Sequence, residues 1–428
     1  MGAHLNKGPE LLAPAGNFEK LEIVLHYGAD AIYLAGKDFS LRSFSSNFSL
    51  EEMRTAFDLV HSHGAKAYVT VNIYARNQDL PGLERYLREL GAMAPDGLII
   101  SDPAVLLMAR RTLPDVPLHL STQANTTNAM AAQFWQSQGV KRINVARELS
   151  LEEITCLAEQ TDLEIEAFVH GAMCISYSGR CLLSNFMAQR PSNQGMCCQP
   201  CRFKYALVEE TRPGQYFPID GDHRGTYILN SKDLCMLAHL PEMLRAGIRT
   251  LKIEGRMKGI NYAATTVKIY REALDHLLQG NSPYRLQDYW QEELNKVTSR
   301  GYCTGFYLGD KEQTAPGLAP PKAPETVLVG KVLSSAGRHM ASVEVRNQIR
   351  PDMPIEILKP SGPVLKDTVD LITDDLGQNL AKAQPGQHVI LHLHHDCSRL
   401  DLLRLDAGDR NSTGEGTMAS GGSHQPMA

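Results

Sequence analysis

Between Glu10 and Arg256, short apolar runs rich in β-branched residues alternate with helix-length amphipathic stretches. Brief apolar runs bounded by turn residues predict strands, and apolar positions recurring every three or four residues predict helices. On this pattern, strands fall at Glu10–Ala15, Ala31–Gly36, Lys66–Asn72, Gly97–Asp102, Leu118–Gln123, Arg142–Arg147, Glu164–His170 and Thr250–Glu254. Ser49-Leu-Glu-Glu52 and Ser150-Leu-Glu-Glu153 carry the capping-box pattern at helix starts, and His63-Gly64 and Gln138-Gly139 place glycine where helices end. No Gly-rich dinucleotide fingerprint follows the first strand. Eight βα units therefore predict an α/β protein built on a (β/α)8 TIM-like barrel, not an open doubly wound sheet.

The alternation breaks once. The seventh and eighth strands begin about 85 residues apart, which assigns a Cys-rich insertion to about 171–248 within a barrel domain spanning 1–313. In a barrel, the segment after a strand's C-terminal end lies on the catalytic face. Asn261–Gln279 reads as the eighth barrel helix, and residues 314–324 as a Pro-rich linker. Thr326–Leu333, His339–Val345, Met353–Leu358, Val364–Leu371 and His388–Leu393 predict a small C-terminal β-barrel domain over 325–406. Residues 407–428, rich in Gly and Ser without apolar periodicity, read as a disordered tail.

Composition narrows the function classes. The chain of 428 residues is 43% hydrophobic and 21% charged, which is ordinary for a soluble protein. No run approaches the ~18 apolar residues of a membrane span, and the N-terminus lacks a signal-peptide core, so a cytoplasmic protein with no membrane partner is expected. A net charge of −5 excludes polyanion binding through overall basicity, so any such binding requires a local patch. Nine cysteines are present, and five of them (Cys174, Cys181, Cys197, Cys198 and Cys201) fall within 28 residues. Random placement would put roughly 0.6 there. In a reducing compartment this points to metal or catalytic sulfur chemistry, not disulfides. The spacing C-x6-C-x15-C-x3-C matches neither a zinc ribbon nor a bacterial ferredoxin, leaving iron–sulfur and zinc equally open.

The predicted strand ends carry polar groups: Asn72, Asp102, Gln123, Arg147, His170, Lys252, Glu254 and Arg256. Guanidinium forks such as Arg147 and Arg256 suit a dicarboxylate, although Glu254 could instead neutralise Arg147. Candidate catalytic residues are His170, Glu254 and Arg256; candidate substrate-binding residues are Asn72, Gln123, Arg147, Lys252 and Arg202. Arg202-Phe-Lys204-Tyr205 and Arg256-Met-Lys258 mix cations with possible stacking groups, a combination suited to RNA. A hydrolase reading has less support, since neither H-E-x-x-H nor G-x-S-x-G occurs. His170, four residues before Cys174, leaves a Cys–His nucleophile open, but that chemistry needs one thiol and not four. His392-Leu-His394-His395 reads as a solvent-exposed strand end more readily than as a metal site.

Glu166–Ser184, with Glu10-Leu-Leu-Ala-Pro-Ala-Gly16, Gly28-Ala-Asp-Ala-Ile-Tyr33, Asn230-Ser-Lys-Asp-Leu234 and Leu251-Lys-Ile-Glu-Gly-Arg256, resembles the collagenase-like peptidase family of unassigned mechanism, the U32 type. The resemblance spans residues 10 to about 395. The added C-terminal domain and the Gly195-x-Cys197-x3-Cys201-Arg202 ending are most similar to its tRNA 5-hydroxyuridine synthesis branch. That resemblance implies an iron–sulfur protein for prephenate-dependent, oxygen-independent hydroxylation of the wobble uridine in tRNA. It implies Cys174, Cys181, Cys197 and Cys201 as ligands of a [4Fe–4S] cluster, with Cys198 or Cys235 as replacements for Cys201 and zinc as the alternative metal. The implied partners are tRNA and prephenate, with a paralogous partner chain left open. Other branches imply the alternatives of an iron–sulfur accessory protein for quinone or rRNA hydroxylation, or a peptidase.

Overall fold

The computed structural model describes residues 8–40, 47–174, 176–202, 207–208, 216–217, 221–222, 225–226, 232–280, 283–309 and 324–408. The chain divides into two compact units, Met1–Ala323 and Pro324–Ala428. Among the described residues, no helix is long and apolar enough to cross a membrane.

In the first unit, β1 (Glu10–Pro14), α1 (Phe18–His26), β2 (Ala31–Leu34), α2 (Leu50–Ser62), β3 (Lys66–Val71), α3 (Leu80–Gly91) and β4 (Gly97–Ile100) follow in order. Next come α4 (Pro103–Thr112), β5 (Leu118–Leu120), α5 (Ala129–Ser137), β6 (Val140–Asn144), α6 (Leu151–Glu159) and β7 (Glu164–Ala172). After the insertion and its short helix α7 (Leu183–Ala188) come β8 (Asp233–Cys235), α8 (Leu240–Arg245), β9 (Ile248–Ile253), α9 (Ile260–Gln279), α10 (Asp288–Lys296) and β10 (Tyr302–Cys303). Strands β1 to β7 pair in parallel with their neighbours, and β9 pairs with both β1 and β7, closing the predicted eight-stranded barrel. Both capping boxes form: Ser49 and Ser150 each accept the N3 backbone N–H while Glu52 and Glu153 reach back.

Six predicted strands begin where the structure begins them, but most stop earlier. The reason is local chemistry at their C-terminal ends. Asp102 caps α4 by accepting the Ala104 N–H at 2.7 Å, and Ser121 caps a 3-10 turn over Thr122–Ala124, so these residues bend out of the sheet. The insertion is also shorter than expected. Asp233–Cys235 pairs antiparallel with the end of β7 and in parallel with β10, and Leu234, Leu237, Leu240 and Met243 are buried, which makes 233–247 barrel framework. Described insertion residues include short antiparallel pairings of 207–208 with 216–217 and of 221–222 with 225–226. The Pro-rich stretch up to residue 323 and the tail from 409 lie outside the described residues.

A buried ion network fills the N-terminal end of the barrel. Arg142 on β6 lies 2.8 Å from Glu10, 2.7 Å from Glu164 and 3.5 Å from Glu166, while Lys252 on β9 lies 2.7 Å from Glu166. Burial pushes the Glu10 carboxyl up, but Arg142 and Lys66 outweigh it and hold the pKa below its ordinary value. His119, stacked edge-on 4.7 Å from Tyr68, is driven well below the ordinary histidine range by burial and is neutral.

The second unit contains β11 (Thr326–Gly337), β12 (Met340–Val345), β13 (Pro354–Leu358), β14 (Leu365–Thr368), β15 (Leu371–Thr373), β16 (His388–His392) and β17 (Leu402–Asp406). These form one antiparallel sheet in the order β14-β13-β17-β11-β12-β16-β15 around a core that includes Val332, Val343, Ile357, Leu391 and Leu403. This is the expected small β-barrel domain in the form of a half-barrel: among the described residues β14 and β15, at the two ends of the order, do not pair. Its interior strand β17 escapes the sequence pattern because Arg404 sits fully buried in it, paired with Glu356 at 2.8 Å. His394 and His395 each place Nδ1 2.9 Å from the buried carboxylate of Asp367. The pair is exposed, as expected, but it is tethered.

Two outcomes test this packing. Arg142→Met removes one of two cations from both Glu10 and Glu166 and is expected to cost about 3 kcal/mol, read as a lower urea midpoint by Trp135 and Trp290 fluorescence. For Asp367, burial raises the carboxyl but hydrogen bonds led by the His394 N–H bring it below 3.8, so its stabilisation is lost as pH falls through that lowered value. For His394, the bond to Asp367 raises the ring above 6.5, so its contribution is full below 6.5 and lost as pH rises through the raised value. Hydrogen-exchange protection of β16, corrected for intrinsic rates, should peak between these limits and flatten in Asp367→Asn.

Candidate functional site

The C-terminal ends of the strands surround a cavity of about 70 Å³. Alternation along β9 and its extension puts Lys252, Glu254 and Arg256 on one face, and that face points into this cavity, joined by Asn72, Gln123 and Arg147. Six of the eight candidate residues outside the cysteine set are thus brought together. Their electrostatic states differ. The Lys252 ammonium is already paired with Glu166, so the expectation that it serves as a free substrate cation is corrected. Arg256 is almost fully buried and reaches the hydroxyls of Thr70 at 3.2 Å and Ser40 at 3.5 Å.

Arg147 lies 4.1 Å over the ring of Phe168, is half-buried, and makes no ion pair among the described residues. The alternative in which Glu254 neutralises it is therefore not formed. Two acceptors beside it, Gln123 Oε1 and Asn144 Oδ1, are buried without a hydrogen-bond partner. Unsatisfied buried polar groups beside an uncompensated guanidinium are the arrangement expected where a polar, anionic ligand completes the site.

His170 is not at the mouth. Glu166, Phe168 and His170 would share a face by strict alternation, but the β7–β9 register shifts between Lys252↔Phe168 and Ile253↔His170. The extra residue turns His170 outward, into a cage of Tyr262, Tyr270 and Tyr302 with ring centroids 5.3 to 5.8 Å away. Burial lowers its pKa to about 4, so it is neutral. His170 consequently fails both as a catalytic group of the cavity and as a base for Cys174. The side chain of Arg202 lies outside the described residues.

The insertion leaves β7 through Gly171, where φ is +106° and a Cβ would collide with the Glu254 carbonyl. It then crosses onto the barrel rim. The Ser178 N–H donates to Glu148 at 2.5 Å, and its hydroxyl lies 3.2 Å from the same carboxylate and 3.3 Å from Thr122. At Gly179, φ is +74° and a Cβ would strike the Gln123 carbonyl and the Tyr74 hydroxyl. Asn193 donates to the Gly179 carbonyl at 3.1 Å, and its own carbonyl accepts the Tyr74 N–H at 3.1 Å. Sequence reading missed Tyr74, Glu148 and Ser178, because each acts through a partner tens of residues away and no local pattern marks it.

This staple carries the thiols. Cys174 and Cys181 are hydrogen-bonded to each other, and Arg147 is near enough to favour the Cys174 thiolate. The contact with Cys174, together with the Ser176 hydroxyl and the Leu183 and Ser184 N–H groups, brings Cys181 down to about 5, while contact and burial push Cys174 up. Cys197 Sγ accepts the Gln199 N–H at 3.4 Å, and Cys198 Sγ lies 3.3 Å from the Ser184 hydroxyl. Helix α7 packs against the 3-10 turns Ser192–Gln194 and Pro200–Arg202, so Cys197, Cys198 and Cys201 belong to the same knot. Among the described residues, however, no three His, Cys, Asp or Glu side chains converge as a metal site, although Cys174 and Cys181 are in contact. Cys235 opens instead into a separate cleft of about 330 Å³ shared with Cys303.

A profile of Peptidase family U32 matches residues 16–316, and one of the Peptidase family U32 C-terminal domain matches residues 324–404. The chain is 41% identical to "tRNA hydroxylation protein P1" of Bacillus subtilis (strain 168), covering 90% of this chain and 92% of that one. It is 35% identical to "tRNA hydroxylation protein P" of Escherichia coli (strain K12), covering 83% and 87%. It is 29% identical to a protein named "Collagenase" of Porphyromonas gingivalis (strain ATCC BAA-308 / W83), covering 93% and 98%.

Glu148→Ala removes the charged acceptor of the Ser178 staple. Hydrogen bonds to charged groups contribute about 1.5–3 kcal/mol, so amide exchange at Ser178 should accelerate about ten- to a hundredfold while β1 to β6 keep their protection.

Proposed function

The chain belongs to Peptidase family U32, and within that family we propose that it takes part in tRNA hydroxylation, converting the wobble uridine to 5-hydroxyuridine with prephenate and an iron–sulfur cluster and without molecular oxygen. The observation that carries this reading is the thiol-bearing turn stapled to the barrel rim beside an uncompensated Arg147. Similarity over nearly the whole chain to proteins named for tRNA hydroxylation supports the same reading.

Arg147 and Arg256 are the cations that would meet the two carboxylates of prephenate, with Gln123 and Asn72 as hydrogen-bonding groups and Glu254 as the proton-holding group of the cavity. A cavity of about 70 Å³ is smaller than that metabolite, so its entry requires the surrounding side chains or the stapled turn to move. Cys174, Cys181, Cys197 and Cys201 would hold a [4Fe–4S] cluster, which supplies one-electron transfer when bound. The donor set suits it: the thiols share one knot, and the Cys174 contact, with the Ser176 hydroxyl and two backbone N–H groups, already favours thiolate at Cys181. Cys198 is engaged with Ser184, which favours Cys197 as the ligand of that adjacent pair. A thiol peptidase has less support, since His170 is turned into its tyrosine cage and does not line the cavity.

Mass spectrometry of tRNA nucleosides tests the reading. A strain lacking the gene is expected to lose 5-hydroxyuridine, the wild-type gene to restore it, and Cys174→Ala to restore less than about a tenth. Unchanged 5-hydroxyuridine in the deletion strain, with quinone synthesis impaired, would favour the accessory-protein alternative instead.

A further inference from the structure

The turn that staples the insertion to the barrel presents one side chain that the cavity does not use. Tyr177 is 66% exposed, and among the described residues its ring makes no aromatic contact and its hydroxyl no hydrogen bond. Yet its backbone is held firmly. The Tyr177 carbonyl accepts the Arg180 N–H at 3.0 Å, and the next two residues are pinned to Glu148, Thr122, Tyr74 and Asn193. A large aromatic ring fixed in water on a rigid support has little to gain within its own fold and is suited to a ligand that approaches from outside.

Charge identifies the ligand. Arg180 is exposed and makes no ion pair among the described residues. More broadly, no Asp or Glu occurs between Glu166 and Glu209, although 48 acidic residues in 428 would place roughly 4.7 in such a stretch. The same stretch contains Arg180, Arg190, Arg202 and Lys204. A chain of net charge −5 thus carries a single-signed basic segment, and within it Arg180 lies on the turn stapled to the barrel rim. The Glu148 carboxylate beneath the turn is engaged by the Ser178 N–H and hydroxyl. An exposed π-face three residues from an exposed guanidinium, in a segment that contributes no carboxylate of its own, matches single-stranded nucleic acid, whose bases stack and whose phosphates pair. A protein partner would draw on both signs of charge.

We propose that Tyr177 is a stacking platform for an unpaired nucleobase next to the one presented to the barrel mouth, with Arg180 on the adjoining phosphate. This rests on the reading of the chain as acting on RNA. A base can reach a cavity at the barrel mouth only after leaving its stack, and its neighbour then needs a new stacking surface.

The test uses the full chain and two fluorescent RNAs, a hairpin with a single-stranded loop and a blunt duplex of the same length. Tyr177→Ala should weaken hairpin binding about five- to a hundredfold and leave duplex binding unchanged, while Tyr177→Trp retains it. Arg180→Ala should lower the slope of log affinity against log salt by about one. A 2-aminopurine in the loop should be quenched by the wild type and Tyr177→Trp but not by Tyr177→Ala. Wild-type affinity in Tyr177→Ala, or equal weakening for hairpin and duplex, overturns the stacking role and leaves the tRNA reading intact. Failure of the wild type to bind either RNA removes both. Sedimentation that shows a dimer lost in Tyr177→Ala, with RNA affinity unchanged, would assign the ring to a protein contact and also overturn the proposal.

Discussion

The ion pair between Glu166 and Lys252 divides the interior of the barrel into two electrostatic regions. Below it, Arg142 draws Glu10, Glu164 and Glu166 together, so that charges buried at the closed end compensate one another. Above it, the mouth begins with the arginines. Had Glu166 been apolar, the Lys252 ammonium would add an unpaired charge to the cavity, and the distinction between structural and ligand-facing cations would vanish. The electrostatic character of the mouth thus depends on a neutralisation one layer deeper. Arg147 can remain uncompensated because Phe168 covers its face and Glu166 is already occupied.

Much of this architecture is legible in the sequence because strand alternation and helix capping are local. Period two alone puts Lys252, Glu254 and Arg256 on one face, and the structure turns that face inward. What fails is alternation across an irregularity: a single register shift in β7 turns His170 away from the face that carries Phe168. Nothing in the residues themselves announces that shift, since it is set by pairing with β9, some eighty residues later in the chain. Strand β17 fails for a related reason. A buried arginine reads as surface until its partner Glu356 is known. Strand β8 is too short to register as periodic at all and exists because β7 and β10 offer it edges.

The cysteine cluster shows the same limit in chemical form. Spacing marks an unusual density of soft donors, and the structure adds a direct contact between two of them and a shared knot for the rest. The turn between Cys174 and Cys181 is held by hydrogen bonds to Glu148, Tyr74 and Asn193, residues that no cysteine pattern contains. Local sequence supplies the thiols, and the barrel rim supplies their position.

The antiparallel pairing of Ala172 with Asp233 means that the insertion leaves and rejoins the barrel at neighbouring points of one sheet. The excursion between them is about 60 residues long, but its ends are already closed by framework hydrogen bonds. Loop-closure entropy rises only logarithmically with length, about 0.6 kcal/mol per doubling. The intervening segment can therefore lengthen, shorten or exchange its contents at little thermodynamic consequence to the barrel beneath. Such a junction makes the thiol-bearing segment a replaceable module, free to diverge in what it recognises while the scaffold that aims it stays the same.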